Sequence, residues 1–563
     1  MAATQPDLLL ADEAADEVRE THISWVFLTG ERAFKVKKPV VLPFLDYSTP
    51  ARRRSMCRAE VALNRRLAPD VYIAVRALVP AADGRLRVGA EDDPDAVDYA
   101  VEMRRYPEDA TLAAHLAAGT VGPAELTAVG ARLARFHAEA QTHVRPDGAE
   151  AVKRSLDDDF ATLATLVREP AERRSLARAE RFATAFLTRA WDELDRRAAG
   201  GSVRDGHGDL RLEHVLLERN VEVVDCVEFD AGLRRIDVAA DLAFLVMELH
   251  EARRPELAAV LVSAYRAAGG DPGSDALLAF LAAYRAQVRA KVALTRERQL
   301  APGAAASGGE LTHAAALLRL GERLQWAARA PLVVVVAGVS ASGKTTLVRA
   351  LAAESGYAHV NSDVLRKRRA GLAPTDRAPA ALYGPEANRA TYAALGRRAA
   401  EAAEAGVIVD ATFRHRSDRD AFREQLDAAT PLLVVECRVP EEVLVARASA
   451  RLRCRPRVRR RARRRPQAAA HARAARRARR SRPPARPRRP AERRARRRRR
   501  RRARPAARRS VGSSPQRGCT ALRWDRGALL AMLRGCNSTA TPRTPGCCWR
   551  TAPVRVGRCW RAC

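Results

Sequence analysis

The sequence predicts two folded modules and a tail. The first is an α+β module with a small strand-rich lobe and a large helical lobe. The second is an α/β module on a parallel sheet, and an Arg-rich segment expected to be disordered follows it. Three observations predict this arrangement. Residues 1–105 carry short alternating apolar runs, whereas residues 106–328 are dominated by apolar spacings of three and four. From Leu332 onward, short apolar runs alternate with helical stretches, the pattern of a parallel sheet. Beyond residue 451 the periodicity ends.

Taken in order, Ser24–Thr29 and Ala33–Lys37 flank Gly30 and read as a hairpin. Arg52–Leu67 has helical periodicity. Leu126–Ala138, Leu176–Leu194 and Leu277–Leu294 read as helices of the second lobe, interrupted by a strand-rich insert at Val215–Phe229. Ala301–Gly309 is small and Gly-containing and reads as a linker, with a helix over Leu311–Ala328 behind it. The second module, 331–451, then reads as strand Leu332–Ala337, helix Thr345–Ala353, strands Ala358–Val360, Val407–Val409 and Leu432–Val435, and helix Glu441–Ala450.

Composition narrows the function classes. The chain has 563 residues, 47% hydrophobic, enough for more than one core. No run of eighteen apolar residues is present, so no membrane helix is expected. The first residues, Met1–Asp7, lack a basic start followed by an apolar stretch, so no secretion signal is read there and a cytoplasmic protein is expected. The net charge of +35 would suggest a nucleic-acid binder, but it is unevenly spread. Residues 451–563 hold 40 of the 101 basic and two of the 66 acidic residues, a net +38. Residues 1–450 keep 61 basic against 64 acidic residues, a net −3. Cys57, Cys226 and Cys437 are the only cysteines before residue 451 and suggest neither a disulfide framework nor a metal pair.

The sharpest motif is Gly338-Val339-Ser340-Ala341-Ser342-Gly343-Lys344-Thr345, between an apolar strand and a helix. Glycines let the backbone wrap phosphate oxygens, and its N–H groups with the helix N-terminus stabilise the anion. Gly338, Ser340, Ser342, Gly343, Lys344, Thr345 and Thr346 are thus expected to bind nucleotide. Lys344 would reach the β- and γ-phosphates and the Thr345 hydroxyl would hold Mg²⁺. Asp410 ends the strand Val407–Val409 and suits a Mg²⁺ or water contact, although a turn or cap carboxylate reads the same way. Asn361-Ser362-Asp363-Val364-Leu365-Arg366 follows another strand. There Asp363 could take the proton of an attacking hydroxyl and Arg366 could hold an acceptor's charge. The alternative has Ser362 capping a helix, with Asp363 at its positive end. These residues, with Asp410-Ala411-Thr412, resemble the P-loop small-molecule kinases, the group of gluconate kinase, zeta-toxin-like kinases and polynucleotide kinase, or more broadly an AAA-type ATP-binding domain. The resemblance implies ATP as cofactor and a lid supplying arginines, which Arg447 and Arg451 would begin. The recognisable pattern stops there, so the module reads as incomplete.

A second constellation lies upstream. His207-Gly208-Asp209-Leu210 is followed by His214, and then by Glu228-Phe229-Asp230. This is the spacing of a kinase catalytic loop followed by a metal-binding carboxylate. Asp209 can serve as base, and Glu228 and His214 would hold Mg²⁺. Lys35 offers a cation to the phosphates and Glu60 would hold it, with Lys37 on the same strand face competing. These residues look like the aminoglycoside phosphotransferase and choline-kinase branch of the protein-kinase-like fold, over about residues 20–300. The resemblance implies that Val101-Glu102-Met103 is the hinge whose backbone meets adenine, and that Asp237 and Asp241 are structural. Two positions depart from the pattern. His214 stands where Asn would ligate, and imidazole is a poor ligand for so hard an ion. Glu228 stands where Asp is usual.

The Arg-, Ala- and Pro-rich segment 452–563 reads as disordered, able to bind nucleic acid unspecifically through charge alone. Its abrupt start, its clustered cysteines and the body's preference for Arg (54) over Lys (7) point to a frameshift in a GC-rich gene. The expected function is an ATP-dependent phosphotransferase acting on a small acceptor with a hydroxyl, without a membrane partner. The alternatives are a nucleotide-binding regulator with little turnover and a nucleic-acid-associated protein acting through its tail.

Overall fold

The computed structural model describes residues 8–10, 13–21, 23–42, 45–299, 307–454 and 554–557. The small lobe is built from Leu8–Leu10 (β1), Glu13–Ala14 (β2), Glu17–Glu20 (β3), Ser24–Thr29 (β4) and Arg32–Lys37 (β5). A ribbon of Val41–Leu42 (β6) and Leu45–Asp46 (β7) leads to the helix Pro50–Asn64 (α1), and Tyr72–Pro80 (β8), Leu86–Gly89 (β9) and Asp98–Arg104 (β10) follow. Eight of these strands form one sheet in the order β2-β1-β9-β8-β10-β5-β4-β3. The β4–β5 hairpin turns at Gly30, whose φ of 45° lies in the left-handed region that glycine tolerates. Thr49 caps α1 by accepting from Arg52 N, and Pro50 stands at the first helical position, where its missing N–H costs nothing.

The large lobe contains Leu112–Ala118 (α2), Pro123–Glu139 (α3), Gly148–Leu166 (α4), Pro170–Ala199 (α5) and Val203–Asp205 (β11). Val215–Leu217 (β12) and Val221–Val223 (β13) form the hairpin expected from the strand-rich insert. Ala231–Arg234 (α6), Arg235–Asp237 (β14), Val238–Glu251 (α7), Pro255–Ala267 (α8), Asp275–Gln299 (α9) and Ser307–Ala327 (α10) complete it. Its core is continuous from Leu126 on α3 through Phe186 on α5 and Leu245 on α7 to Leu317 on α10. α7 is buried nearly all round, so it lacks the alternating polar face of a surface helix. Part of the expected linker, 301–306, lies outside the described residues, and its last three residues already belong to α10.

The second module contains Val333–Ala337 (β15), Lys344–Ser355 (α11), Ala358–Asn361 (β16), Ser362–Arg369 (α12), Pro385–Ala402 (α13), Val407–Asp410 (β17), Arg416–Arg423 (α14), Leu432–Cys437 (β18) and Glu441–Cys454 (α15). β16, β17, β15 and β18 are parallel neighbours in that order. All five residues of β15 are buried, as a strand covered on both faces requires. Val554–Gly557 (β19) pairs antiparallel on the outer edge of β18. That places four residues of the segment read as disordered in a strand, and the end of α15 reaches Cys454. The remainder of that segment lies outside the described residues. α10 belongs to both modules. It packs on α9 and α5, while Trp326 near its end joins the core of Val334, Val336 and Leu347.

Candidate active sites

In the first module Asp209 sits on the loop between β11 and β12, and buried polar contacts fix that loop from below. Asp241 at the start of α7 accepts from the backbone N–H groups of His207 (2.7 Å) and Gly208 (3.0 Å), and His137 Nε2 lies 3.2 Å away. Burial would raise the Asp241 carboxyl, but these contacts outweigh it and hold it down at about 2. His207 is fully buried, and burial depresses its pKa. Its Nε2–H donates to Val224 O at 2.9 Å and its Nδ1 accepts from Asp209 N at 3.3 Å, which locks the neutral ring between the Asp209 loop and the end of β13. Asp237 caps α7 and pairs with Arg197 at 2.8 Å. Both acids therefore have the structural place the sequence implied.

The Asp209 carboxylate accepts no hydrogen bond from a described side chain. His214 Nδ1 donates to Asp209 O at 2.8 Å, and its Nε2 stands 3.6 Å from Asp225 Oδ2 and 3.6 Å from Glu213 Oε1. Asp225 lies two residues after the end of β13, with φ of 64°, a left-handed conformation that is rare for a residue with a side chain and typical of strained functional turns. Its Oδ1 accepts from Lys35 Nζ at 2.8 Å. The Lys35 ammonium, followed by the opposing pull of burial, keeps the Asp225 carboxyl far below its usual range. Lys35 also donates to Glu60 Oε1 at 2.8 Å. Burial would lower the Lys35 ammonium, but Asp225 and Glu60 outweigh it and raise it.

Two expectations are corrected here. Glu228 was read as a metal carboxylate, but it lies in a buried ion pair with the fully buried Lys37 and accepts from Tyr47 OH at 2.8 Å. Lys37 in turn reaches Glu60 Oε2 at 2.7 Å, so both lysines share one glutamate. The carboxylate facing His214 is Asp225. Val223-Val224-Asp225, an apolar run ending in a carboxylate, carries the same sequence signal as Val407–Asp410. The second correction concerns Val101–Met103. They lie inside β10, paired on one side with β5 (Val101↔Lys35, Met103↔Ala33) and on the other with β8. They pair on both edges, with an irregularity between Glu102 and Met103 on the β8 side, and Met103 is buried in the lobe's core. The strand ends at Arg104, so the crossing to the large lobe is Arg105–Pro107.

In the second module, Gly338 has φ of 147° and Gly343 of 95°, and a Cβ on Gly338 would stand 2.8 Å from Cys437 O. Lys344 Nζ donates to Val339 O at 3.3 Å, folded back over the loop. Thr345 Oγ1 donates to Asp410 Oδ2 at 2.8 Å, and Asn361 Nδ2 donates to the same oxygen at 2.9 Å. Burial would raise Asp410, but the His359 ring, 3.7 Å from its Oδ2, and hydrogen bonds from Thr345 and Asn361 hold it low. A cavity of about 610 Å³ joins Ser340, Lys344, Thr345 and Thr346 to Asp363 and Arg366, so the residues expected at nucleotide and acceptor share one space. Asp363 accepts from Tyr383 OH (3.0 Å) and Lys367 (2.8 Å). Arg366 stacks 4.5 Å over the Tyr383 ring and donates to Asn388 Oδ1 at 2.9 Å. The cap of α12 is Asn361, not Ser362: its Oδ1 accepts from Asp363 N and Val364 N. Arg447 Nη1 lies 3.4 Å from Ala341 O and from Ser342 O, over the phosphate loop. The side chain of Arg451 lies outside the described residues.

A magnesium ion fits the second site on one observation. Asp410 is fully buried, and its Oδ1, beside the Thr345 hydroxyl, has no hydrogen-bond partner among the described residues, which a hydrated cation would supply. At the first site Asp225 offers a carboxylate and His214 a ring nitrogen. Among the described residues no group of three or more His, Cys, Asp or Glu side chains is disposed to hold a metal alone. An ion there needs phosphate oxygens as ligands.

Comparison with known proteins gives two separate family matches. The Phosphotransferase enzyme family matches residues 48–280, and an AAA domain matches residues 333–484, past the change in composition at 451. An uncharacterized protein of Mycobacterium tuberculosis and one of Mycobacterium bovis are each 32% identical over 454 residues, covering 78% of this chain and 87% of the relative. Among solved structures, a choline/ethanolamine kinase family protein from Mesorhizobium loti matches 54% of this chain and 87% of that one, at 13% identity and a TM-score of 0.33. A gluconokinase from Sinorhizobium meliloti matches 21% of this chain and 64% of that one, at 31% identity and a TM-score of 0.17. No helix among the described residues is long and apolar enough to cross a membrane.

Proposed function

We propose that this chain, which belongs to the family of those mycobacterial proteins and is a kinase-type phosphotransferase, moves the γ-phosphoryl group of ATP to the hydroxyl of a small molecule in its first module. Asp209 is the base. It takes the acceptor's proton as the acceptor oxygen bonds to phosphorus and the bond from phosphorus to the bridging oxygen breaks, releasing ADP. Lys35, held by Glu60, steadies the phosphates. Asp225, with His214, would hold Mg²⁺, which when bound neutralises charge on the phosphate oxygens. The observation that carries the reading is the meeting of Lys35, from the small lobe, and Asp225, from the large lobe, beside Asp209, whose carboxylate is left without a hydrogen bond from a described residue. Asp209→Ala in the full chain should abolish Asp209-site transfer to any acceptor while ATP binding persists. Transfer that survives the substitution would remove Asp209 as the base.

In the second module the same reading gives Lys344 to the β- and γ-phosphates, Thr345 and Asp410 to Mg²⁺, Asp363 to the acceptor proton and Arg366 to an acceptor's charge. We place the boundary between modules at 328–331 and the protein in the cytoplasm. One observation favours a second reading, a nucleotide-binding regulator with little turnover. The ring nitrogen of His214 occupies a ligand position where an oxygen donor suits Mg²⁺ better. ATP binding at the first site without transfer to any hydroxyl compound would support that alternative.

A further inference from the structure

His214 Nε2 and Asp225 Oδ2 are two acceptors that face each other at 3.6 Å. The opposite ring nitrogen of His214, Nδ1, donates to Asp209 O at 2.8 Å. A carbonyl only accepts, so the proton of the neutral ring is on Nδ1 and Nε2 carries the lone pair. Glu213 Oε1 also stands 3.6 Å from Nε2, but Glu213 is engaged by Arg211. Asp225 Oδ1 is taken by Lys35 at 2.8 Å, which leaves Oδ2 turned to the ring. The lone pair and the carboxylate oxygen repel one another and attract the same cation.

Both groups are fixed where they stand. Val224 N donates to His214 O at 2.9 Å, so the residue before Asp225 is bonded to His214 itself. Asp225 N donates to Tyr72 OH at 3.1 Å, and the His214 side chain is buried. The separation of 3.6 Å decides between two ways of joining them. An imidazolium donating from Nε2 to the carboxylate would stand at about 2.7 to 2.9 Å. Two ligands that share one ion at ~2.1 Å stand about 3 to 3.5 Å apart. The observed spacing is that of shared ligands.

The nitrogen changes which ion fits. Mg²⁺ demands near-ideal octahedral geometry, prefers oxygen and sheds its waters reluctantly. First-row transition dications take imidazole readily, and Mn²⁺ among them also takes the oxygen donors that Mg²⁺ takes. Among the described residues no group of three or more His, Cys, Asp or Glu side chains is disposed to hold a metal. The ion therefore enters with nucleotide, whose phosphate oxygens complete its ligands.

We propose that the first module selects a first-row transition dication, Mn²⁺ foremost, over Mg²⁺, with His214 Nε2 and Asp225 Oδ2 as ligands. This rests on the phosphotransferase reading above and names the ion for it. The imidazole then exchanges the ion and leaves the transfer chemistry in place.

The test loads the full chain with Mn²⁺ and ADP. Electron spin echo modulation at the bound Mn²⁺ reads whether an imidazole nitrogen is directly attached. No directly attached nitrogen in the parent overturns the proposal, and that outcome needs no substitution. His359 Nε2 lies 3.7 Å from Asp410 Oδ2 in the second module, so the assignment is made in His359→Asn. A nitrogen signal should remain there and vanish when His214→Asn is added. A signal that survives His214→Asn overturns the proposal. Displacement of Mn²⁺ by Mg²⁺ gives an independent measure. His214→Asn, which offers an amide oxygen, should shift the affinity ratio toward Mg²⁺ by ~10-fold or more, at least the effect of removing a ligand's supporting partner. An unchanged ratio overturns the selection. With Asp209→Ala as the blank, ATP consumption should be faster with Mn²⁺ than with Mg²⁺ in the parent, and the order should reverse in His214→Asn. Faster consumption with Mg²⁺ in the parent overturns the selection. A His214 nitrogen on bound Mn²⁺ without Asp209-dependent consumption under either ion upholds the ion site and sinks the phosphotransferase reading instead.

Discussion

Lys35 Nζ donates to Asp225 Oδ1 at 2.8 Å, and this contact joins the small lobe to the turn after β13 across 190 residues of sequence. The Glu228 carboxylate is only three residues further on, yet it pairs with a different lysine, Lys37, in a buried position. Two lysines on one strand face thus separate two carboxylates into different surroundings, one half exposed beside His214 and one enclosed.

Opposite effects of two similar substitutions follow from that separation. Asp225→Asn should reduce Asp209-dependent transfer by several orders of magnitude, with a small change in melting temperature. Glu228→Gln should leave transfer per folded molecule largely intact and destabilise the fold, because Lys37 loses a buried partner. Breaking a buried pair from one side costs about 3 kcal/mol or more. Steady-state kinetics and denaturant unfolding on the two variants read both quantities. Loss of transfer in Glu228→Gln with unchanged stability would return the metal position to Glu228.

How much of this was legible in the sequence depends on how local each signal was. Gly338–Thr345 was readable because the loop, its strand and its helix are contiguous, and only glycine fits at Gly338. Asp209 and His214 were readable by spacing, as were Lys35 and Glu60 on adjacent elements. Asp225 was missed because counting from His214 favoured Glu228, whereas the β12–β13 hairpin is tight enough to bring the earlier carboxylate back to the loop. Met103 was misplaced because an apolar strand and the segment leaving it look alike until the pairing on both edges is known.

The Asp241 carboxylate should make the fold acid-sensitive. Its pKa is held at about 2, below the ordinary carboxylate value of about 3.9, because the folded state favours its ionised form. A depressed folded pKa means that its contribution is complete above the unfolded value and is lost as pH falls through the folded one. That contribution is roughly 3 kcal/mol. Asp241→Asn should therefore be less stable than the parent at pH 6, and the gap should narrow between about pH 4 and pH 2. A gap independent of pH over that range would show that the carboxylate's charge does not hold the His207–Gly208 loop.

Two nucleotide sites in one chain make a countable prediction. Equilibrium dialysis of the full chain should give about two ATP bound per molecule, if each site holds one nucleotide with the phosphates on its own cradle. Lys344→Ala should reduce this to about one at sub-saturating ATP, without altering the far-ultraviolet circular dichroism, since Lys344 contributes a charge to the phosphates and its 3.3 Å contact to Val339 O lies within the loop itself. Unchanged stoichiometry and affinity in Lys344→Ala would mean that the second module does not use its phosphate loop for nucleotide.

The gene sequence near codon 452 supplies the last test. The AAA-domain match runs to residue 484, and β18 already carries an edge partner in Val554–Gly557, so the second module draws on chain beyond the composition change. In the frameshift reading, a module of this kind continues in another frame, and the 40 Arg residues of 451–563 come from GC-rich codons read out of register. A protein carrying that tail would also have a strongly salt-dependent affinity for nucleic acid, because each neutralised phosphate releases a counter-ion. Resequencing should therefore find an inserted or deleted base near codon 452. Mass spectrometry of the native protein should lack tryptic peptides from 455–553 and find peptides of the other frame. An intact reading frame together with peptides from 455–553 would make the tail a genuine part of the chain, and the nucleic-acid affinity would then belong to the protein.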